Sequence, residues 1–168
     1  MIPKSSVKKI FSGNTIRKIL KDNGAKEISD ESIDLLNKII TKISYEIAMG
    51  AVKLTRFKGY KTIKNDAIKV STQQFLDRKL ENLELKLFEK SKIRDILKDN
   101  GAERISKEVI EFMNKIISKI SEDIALGAVE IAFSNKNEII QKEAIRLSTK
   151  QFLGIDLDNK KNNFLEGK

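Results

Sequence analysis

The sequence consists largely of one segment that occurs twice, without gaps, at a constant offset of 77 positions. IRKILKDNGA at 16–25 returns as IRDILKDNGA at 93–102, and STQQFL at 71–76 returns as STKQFL at 148–153. Roughly half of about sixty aligned positions are identical. A unit that cannot bury its apolar face alone requires a neighbour to cover it. We therefore predict that the two repeats are fused partners with a common apolar core.

Each repeat shows the pattern of a short helix, a long helix and a second short helix. In repeat one, the first helix is predicted over about 15–23, and Gly24 ends it. Ser29 is the predicted N-cap of the long helix, and Ser106 has this role in repeat two. A third helix is predicted from about Lys64. Apolar residues recur along the long helix at steps of three and four: Ile33, Leu36, Ile40, Ile43, Ile47, Ala51 and Leu54. Two short helices cannot cover a stripe of about seven turns, so we predict an all-α fold in which the second long helix lies across it.

Gly50 and Gly127 fall in the middle of the two predicted long helices. Glycine in a helix interior costs roughly 1 kcal/mol relative to alanine. Because both repeats carry it, we interpret these glycines as the points where the two long helices cross closely. The alternative is that they are tolerated accidents.

The segment between the repeats, residues 77–92, contains neither Gly nor Pro. Leucines recur there at helical spacing: Leu76, Leu80, Leu83 and Leu87. We predict that the third helix continues as a helical linker over 77–92 and that Ser91 caps the next helix. The leucine row then packs on the same molecule or, alternatively, forms a coiled coil with another chain. Residues 1–14 are predicted to be a basic extension, and residues 154–168 a polar tail.

The charge of the chain is high and unevenly distributed. The formal net charge is +9, which favours a polyanionic partner. Residues 1–76 contain 15 Lys or Arg and 7 Asp or Glu, a net charge of +8, whereas residues 93–153 contain 10 of each, a net charge of zero. One repeat is therefore basic and the other is balanced.

The composition argues against an enzyme. The chain has no Cys and no His, which excludes disulfides and thiolate metal sites and removes the commonest general base. The glycines never cluster into a phosphate-binding loop, and the carboxylates are scattered over polar helix faces. No apolar run approaches the roughly 18 residues that a membrane span needs. We predict no cofactor, no small-molecule substrate, no membrane and a reducing cytoplasm.

With the helix order, the segments KDNGAERIS at 98–106 and GYKTIKNDAI at 59–68 identify a family resemblance. The chain resembles an archaeal histone, and the resemblance covers residues 15–76 and 93–153. It is therefore similar to a histone doublet, two histone folds fused in one chain. The resemblance implies an intramolecular handshake pseudo-dimer in which the first loop of each repeat lies beside the second loop of the other.

The resemblance also implies a DNA-binding site. In the family, the first loop carries an Arg that enters the minor groove. The second loop carries a Lys that meets phosphate and a Thr that supports that Arg. By position, the Arg is Arg104 in repeat two, and the other two are Lys61 and Thr62 in repeat one. This end is expected to be complete.

At the other end, the same positions hold residues that repel phosphate or cannot bind it: Glu27, Glu138 and Ile139. That end is expected to be disabled. The resemblance implies that cations on the paired first helices supply further DNA contacts. For any single one of these cations, the alternative is that it simply lies on a solvated helix face. The further candidates for DNA contact are Arg17, Lys18, Lys21, Lys64, Arg94 and Lys98.

Assembly is expected to differ from that of fibre-forming relatives, which use a His near the end of the central helix and an Asp in the third. Phe57 and Ala67 stand at these positions in repeat one, and Ser134 and Ala144 in repeat two. Repeat one thus presents an apolar face: Leu54, Phe57, Ala67 and Val70. We expect this face to join two copies of the chain, or else to be covered by the linker helix.

The resemblance and the charge together indicate an architectural protein that binds double-stranded DNA largely without sequence preference in the nucleoid. Bending is expected to be one-sided, because one loop end is acidic. The alternative is a histone-fold module for protein interaction, or an assembly cap, in which DNA binding is weak. The neutral second repeat favours this alternative.

Overall fold

The computed structural model describes residues 8–154 and residue 164. Six helices and four two-residue strands are found in this part of the chain. Repeat one contains α1 (Gly13–Asp22), β1 (Glu27–Ile28), α2 (Asp30–Phe57), β2 (Thr62–Ile63) and α3 (Asn65–Leu76). Repeat two contains α4 (Lys90–Asp99), β3 (Arg104–Ile105), α5 (Lys107–Ser134), β4 (Ile139–Ile140) and α6 (Lys142–Leu153). None of these helices is long and apolar enough to cross a membrane.

Every strand pairs with a strand of the other repeat. β2 pairs in parallel with β3, and β1 pairs in parallel with β4. The chain accordingly divides into two compact units that each draw on both repeats, one at 43–119 and one at 1–42 with 120–168. The predicted pairing of first and second loops is confirmed.

The same positions form the core in both repeats. Equivalent residues are buried in both repeats, among them Ile16 and Ile93, Leu20 and Leu97, Ile40 and Ile117, Ile47 and Ile124, Ile63 and Ile140, and Ile68 and Ile145. The predicted N-caps are also confirmed. Ser29 Oγ accepts a hydrogen bond from Ser32 N at 3.1 Å, and Ser106 Oγ accepts one from Val109 N at 3.2 Å. These bonds satisfy amides that the first helical turn leaves open.

Each repeat begins earlier than the sequence pattern indicates, with a buried phenylalanine held by an asparagine. Asn37 Oδ1 accepts from Phe11 N at 3.3 Å, and Asn37 Nδ2 donates to Phe11 O at 2.7 Å. Asn114 makes the same two bonds to Phe88, at 3.1 and 2.8 Å. Both asparagines lie on the long helices and are buried. They fix the segment that leads into each first helix, which therefore starts two residues before the predicted position in repeat one.

The interpretation of the two mid-helix glycines is wrong. The atoms nearest to a Cβ on Gly50 would belong to Ser71 on α3, and those nearest to a Cβ on Gly127 would belong to Ser148 on α6. Ser71 Oγ donates to Ile47 O at 2.7 Å, and Ser148 Oγ makes the equivalent bond at 2.6 Å. Each glycine therefore admits the third helix of its own repeat rather than the other long helix.

The predicted helical linker is also wrong. α3 ends at Leu76, because Asp77 takes a left-handed conformation with φ 56°, and residues 77–89 contain no helix. Ser91 lies inside α4, whose N-cap is Glu89. The helical spacing of the leucines did not determine the conformation of residues 77–89. The end of this segment is bound to α5 by the two hydrogen bonds between Phe88 and Asn114. In addition, Leu87 N donates to Ser118 Oγ at 2.9 Å.

Of the two alternatives for the leucine row, the structure agrees with packing on the same molecule. Leu80 and Leu83 are half-buried and line a cleft with Phe112 and Ile116 of α5. A coiled coil through this row is excluded, because the segment is not helical.

Candidate nucleic-acid interface

Lys61, Thr62 and Arg104 lie together where β2 pairs with β3. Thr62 and Arg104 are in register, and Arg104 N donates to Lys61 O at 3.2 Å. Gly59 and Gly101 allow β2 and β3 to come together, because their φ values of 77° and 94° turn the chain directly after α2 and α4. The side chains come from two repeats, so the site exists only when both have folded.

The two cations of this site are available to an external anion. Lys61 and Arg104 are exposed, and Thr62 is half-buried above the buried Ile63. Within residues 8–154, neither cation has an ion-pair partner. One cation on β3 and one directly before the paired β2 suit a phosphate, which can accept hydrogen bonds from both.

Two residues near this site, Arg56 and Tyr60, were missed in the sequence analysis. Arg56, in the last turn of α2, donates from Nη2 to Gly101 O at 3.0 Å and remains exposed. The Nζ atom of Lys64 lies 5.3 Å from the ring centroid of Tyr60, within the range of a cation–π contact. Both face a cleft of about 220 Å³ that is also lined by Lys61, Gly101 and Ala102. Arg56 could have been found in the sequence, because the equivalent position in repeat two holds Phe133.

The second loop pair has the same backbone and a different surface. Glu27 is in register with Ile139, and Ser29 N donates to Ile140 O at 3.1 Å. Glu138 precedes Ile139, and both are exposed, as Glu27 is. We call residues 24–28 with 130–140 the acidic loop pair, and residues 53–63 with 101–105 the basic loop pair.

The candidate cations of α1 and α4 differ in their surroundings. On α1, Arg17 lies 3.8 Å from Asp30, Lys18 lies 2.9 Å from Asp22, and Lys21 Nζ donates to Lys26 O at 3.3 Å. These side chains are exposed, so the pairs contribute little and can exchange for phosphate. On α4, Arg94 and Lys98 are exposed and have no ion-pair partner among the described residues.

Tyr45 has a clearly shifted pKa. Its hydroxyl donates to Asp99 Oδ2 at 2.6 Å, which ties α2 to the end of α4. Burial raises the pKa of Tyr45 above its ordinary value, and the hydrogen bond to Asp99 raises it further. The phenol is therefore neutral and remains a donor at physiological pH.

Comparison with known proteins identifies the family. A family model described as histone-like transcription factor (CBF/NF-Y) and archaeal histone matches residues 1–71 and 87–148, most of the chain. The chain belongs to this family. It is also similar to the crystal structure of the histone from Methanopyrus kandleri, with a TM-score of 0.70 at 21% identity, and the match covers 85% of this chain and 95% of that chain. That likeness shows the fold, which is two histone folds joined as a pseudo-dimer.

The apolar face of repeat one is open in this histone doublet. Phe57 is 91% exposed and Val70 is 37% exposed, while Leu54 and Ala67 are half-buried. Beside Phe57, a groove of about 200 Å³ is lined by Leu54, Ala67 and Val70. The alternative that the linker covers this face is wrong, since Phe57 would then be buried.

Proposed function

We propose that this histone doublet binds double-stranded DNA, largely without sequence preference, through the basic loop pair. The supporting observation is the juxtaposition of Lys61, Thr62 and Arg104 on two paired strands, with both cations free of ion pairs within residues 8–154. Charged donors that converge from adjacent strands can bind phosphates on the two sides of a minor groove. Family membership, in which histones are architectural rather than catalytic, supports the same function.

The exposed cations of α4, in the same compact unit as the basic loop pair, are further candidates for phosphate contact, as are those of α1 in the other unit. Arg94 and Lys98 are the stronger candidates, because Arg17 and Lys18 must first release carboxylates of their own chain. The acidic loop pair adds no phosphate contact. If about five phosphates are neutralised, the logarithm of the affinity should fall with the logarithm of the salt concentration at a slope of about −4 to −5.

The test is a series of gel shifts over salt concentration on duplexes of mixed sequence. Lys61→Glu should lose most of the affinity, and Glu27→Arg should gain some. Lys150→Glu is the matched control, because it makes the same charge change at an exposed residue of α6 that belongs to neither loop pair, and it should have a much smaller effect. An Arg104→Ala variant with the affinity and salt slope of the wild type would contradict the site.

The second candidate is a protein-interaction module, and the acidic loop pair is the observation that favours it. Residues 16–76 have a net charge of +5 and the equivalent residues 93–153 a net charge of zero, a loss that a purely DNA-binding role does not explain. If the wild type fails to bind duplexes at low salt, this candidate replaces the first. A combined function, in which repeat one holds DNA and repeat two recruits protein, agrees with both observations.

We further propose that two doublets join through the apolar face of repeat one. Phe57 projects beside a groove lined by Leu54, Ala67 and Val70, so that two copies related by a two-fold axis can each place Phe57 in the groove of the other. Phe57→Ser, which copies Ser134, should weaken this association in sedimentation velocity at high salt. Unchanged sedimentation would contradict it.

A further inference from the structure

The acidic loop pair carries exposed apolar side chains as well as carboxylates. Phe133 is 49% exposed where repeat one has Arg56, and Ile139 is 39% exposed where repeat one has Thr62. The turn between them is compact, since Lys136 N donates to Phe133 O at 2.9 Å and Asn137 N donates to Ala132 O at 2.8 Å. Loss of the cations alone would weaken a phosphate contact and would not require large apolar side chains in their place. Two large apolar residues around one carboxylate are typical of a protein-binding surface.

The acidic loop pair has three carboxylates and two lysines, Lys26 and Lys136, so its net charge is −1, whereas the net charge of the basic loop pair is +4. Glu130 and Glu138 are exposed, and they replace Lys53 and Lys61 of repeat one. Across a protein interface, charged groups generally face groups of opposite sign. The partner should therefore present cations around a recess that accepts an aromatic side chain.

The basic loop pair of a second copy has these properties. Its cleft of about 220 Å³ is lined by the cations Arg56 and Lys61 and by Tyr60, with one carboxylate, that of Glu103. Arg56 and Tyr60 can both contact an aromatic ring, by cation–π and ring–ring interactions respectively. Lys61 is exposed at the rim and free to pair with a carboxylate.

We propose that the acidic loop pair of one copy binds the basic loop pair of another, with Phe133 in the cleft beside Arg56 and Tyr60 and with Glu138 facing Lys61. The contact joins different surfaces of the two copies, so it extends into a chain unless its geometry closes a ring. It also uses the surface proposed to bind DNA. Duplex DNA and a second copy therefore compete, and DNA releases chains from the self-associated form.

This contact goes beyond the proposed function and is independent of the apolar face of repeat one. The net charge of +9 opposes association between copies, so the contact should be weak and sensitive to salt. All variants are therefore made in a Phe57→Ser background, which removes the apolar contact. Circular dichroism checks that each variant folds.

The first measurement is sedimentation velocity at about 50 mM and about 500 mM salt, where the screening length differs more than threefold. The background protein should form larger species at low salt and lose them at high salt. Phe133→Arg, which copies Arg56, and Lys61→Glu, which copies Glu138, should each remain monomeric. Leu85→Arg is the matched control, since it changes another exposed apolar residue to arginine and should associate like the background.

Mixing the two monomeric variants gives the sharpest outcome. The Phe133→Arg chain retains a basic loop pair, and the Lys61→Glu chain retains an acidic one, so the mixture should form a species of two chains and nothing longer. A mixture that stays monomeric, or variants that associate like the background, would overturn the proposal. So would a background protein that remains monomeric at low salt.

Adding duplex DNA distinguishes a failure of this proposal from a failure of the proposed function. Adding duplex should dissolve the self-associated background protein, whereas Phe133→Arg should bind duplex at least as tightly as the background. Normal DNA binding without self-association would refute only the contact between copies. Self-association that persists in a saturating excess of bound duplex would refute the shared surface.

Discussion

The two loop pairs have the same backbone and nearly opposite surfaces. In each, the chain leaves a long helix through a turn with positive φ, at Gly59 in one and Lys136 in the other, and then forms a short parallel bridge. The turn bonds also agree: Tyr60 N donates to Thr55 O at 3.0 Å, and Asn137 N donates to Ala132 O at 2.8 Å. The backbone of a histone loop pair therefore does not depend on the cations that would bind DNA.

This difference is tolerated because the buried residues below the loops are the same. Ile63 and Ile140 are both buried where the second loops pair. Packing and bridge bonds fix the loops, while the exposed side chains are free to vary at little cost to stability. One repeat can lose a binding surface without disturbing the fold, which is an advantage of fusing two histone folds in one chain.

The largest effect is expected from giving the acidic loop pair the residues of the basic one. Glu27→Arg, Glu138→Lys and Ile139→Thr together should add about two phosphate contacts, which makes the salt slope steeper by about 2 and raises affinity at low salt by about 100-fold. Gel shifts over salt concentration measure both quantities. As a control, Glu27→Gln with Glu138→Gln removes the repulsion without adding donors and should gain much less. An unchanged slope would show that the backbone match does not make the two loop pairs equivalent on DNA.

The two asparagines that hold Phe11 and Phe88 give an intermediate effect on stability. Asn37→Ala and Asn114→Ala each leave a buried amide and carbonyl without their partner, so each should lower the free energy of unfolding by about 2 kcal/mol. Urea titration measures this, and the exposed Asn135→Ala serves as the control. Equal losses would indicate that the linker is held in repeat two as firmly as the N-terminal segment is held in repeat one. A loss only at Asn114 would break that equivalence.

The helices and the serine caps of the two long helices were predictable from short-range patterns in the sequence. The loop pairing that brings Arg104 and Lys61 together was predictable only through the family resemblance, because repeat order alone does not say which loops meet. The role of Gly50 was not predictable, since periodicity shows that something approaches a helix but not which element does. The prediction of a helical linker was wrong because leucines spaced by three and four suit a helix, whereas Asn114 and Ser118 on α5 hold the linker in another conformation. Arg56 is one of 33 Lys and Arg residues; its replacement by Phe133 in repeat two marks the position in the sequence, but its hydrogen bond to the carbonyl of Gly101 is visible only in the structure.

The smallest expected effect concerns Gly50 and Gly127, where the two repeats should behave alike. A methyl group at Gly50 gains about 1 kcal/mol of helix propensity but overlaps Ser71 Oγ, and overpacking of this kind costs about 1–3 kcal/mol. The net loss of stability for Gly50→Ala should be about 1 kcal/mol by urea titration. Gly13→Ala, where a methyl group would meet only Ile33 at 3.8 Å, should not destabilise.

A double-mutant cycle with Ser71 tests the physical cause of this loss. Alone, Ser71→Ala removes the hydrogen bond to Ile47 O and should cost about 1 kcal/mol. In the Gly50→Ala background the same change also removes the overlapping oxygen, so it should cost less or even stabilise. The corresponding cycle at Gly127 and Ser148 should give the same sign, because Ser148 Oγ makes the equivalent bond to Ile124 O. Additive effects in both cycles would mean that the glycines are retained for a reason other than the approach of the third helix.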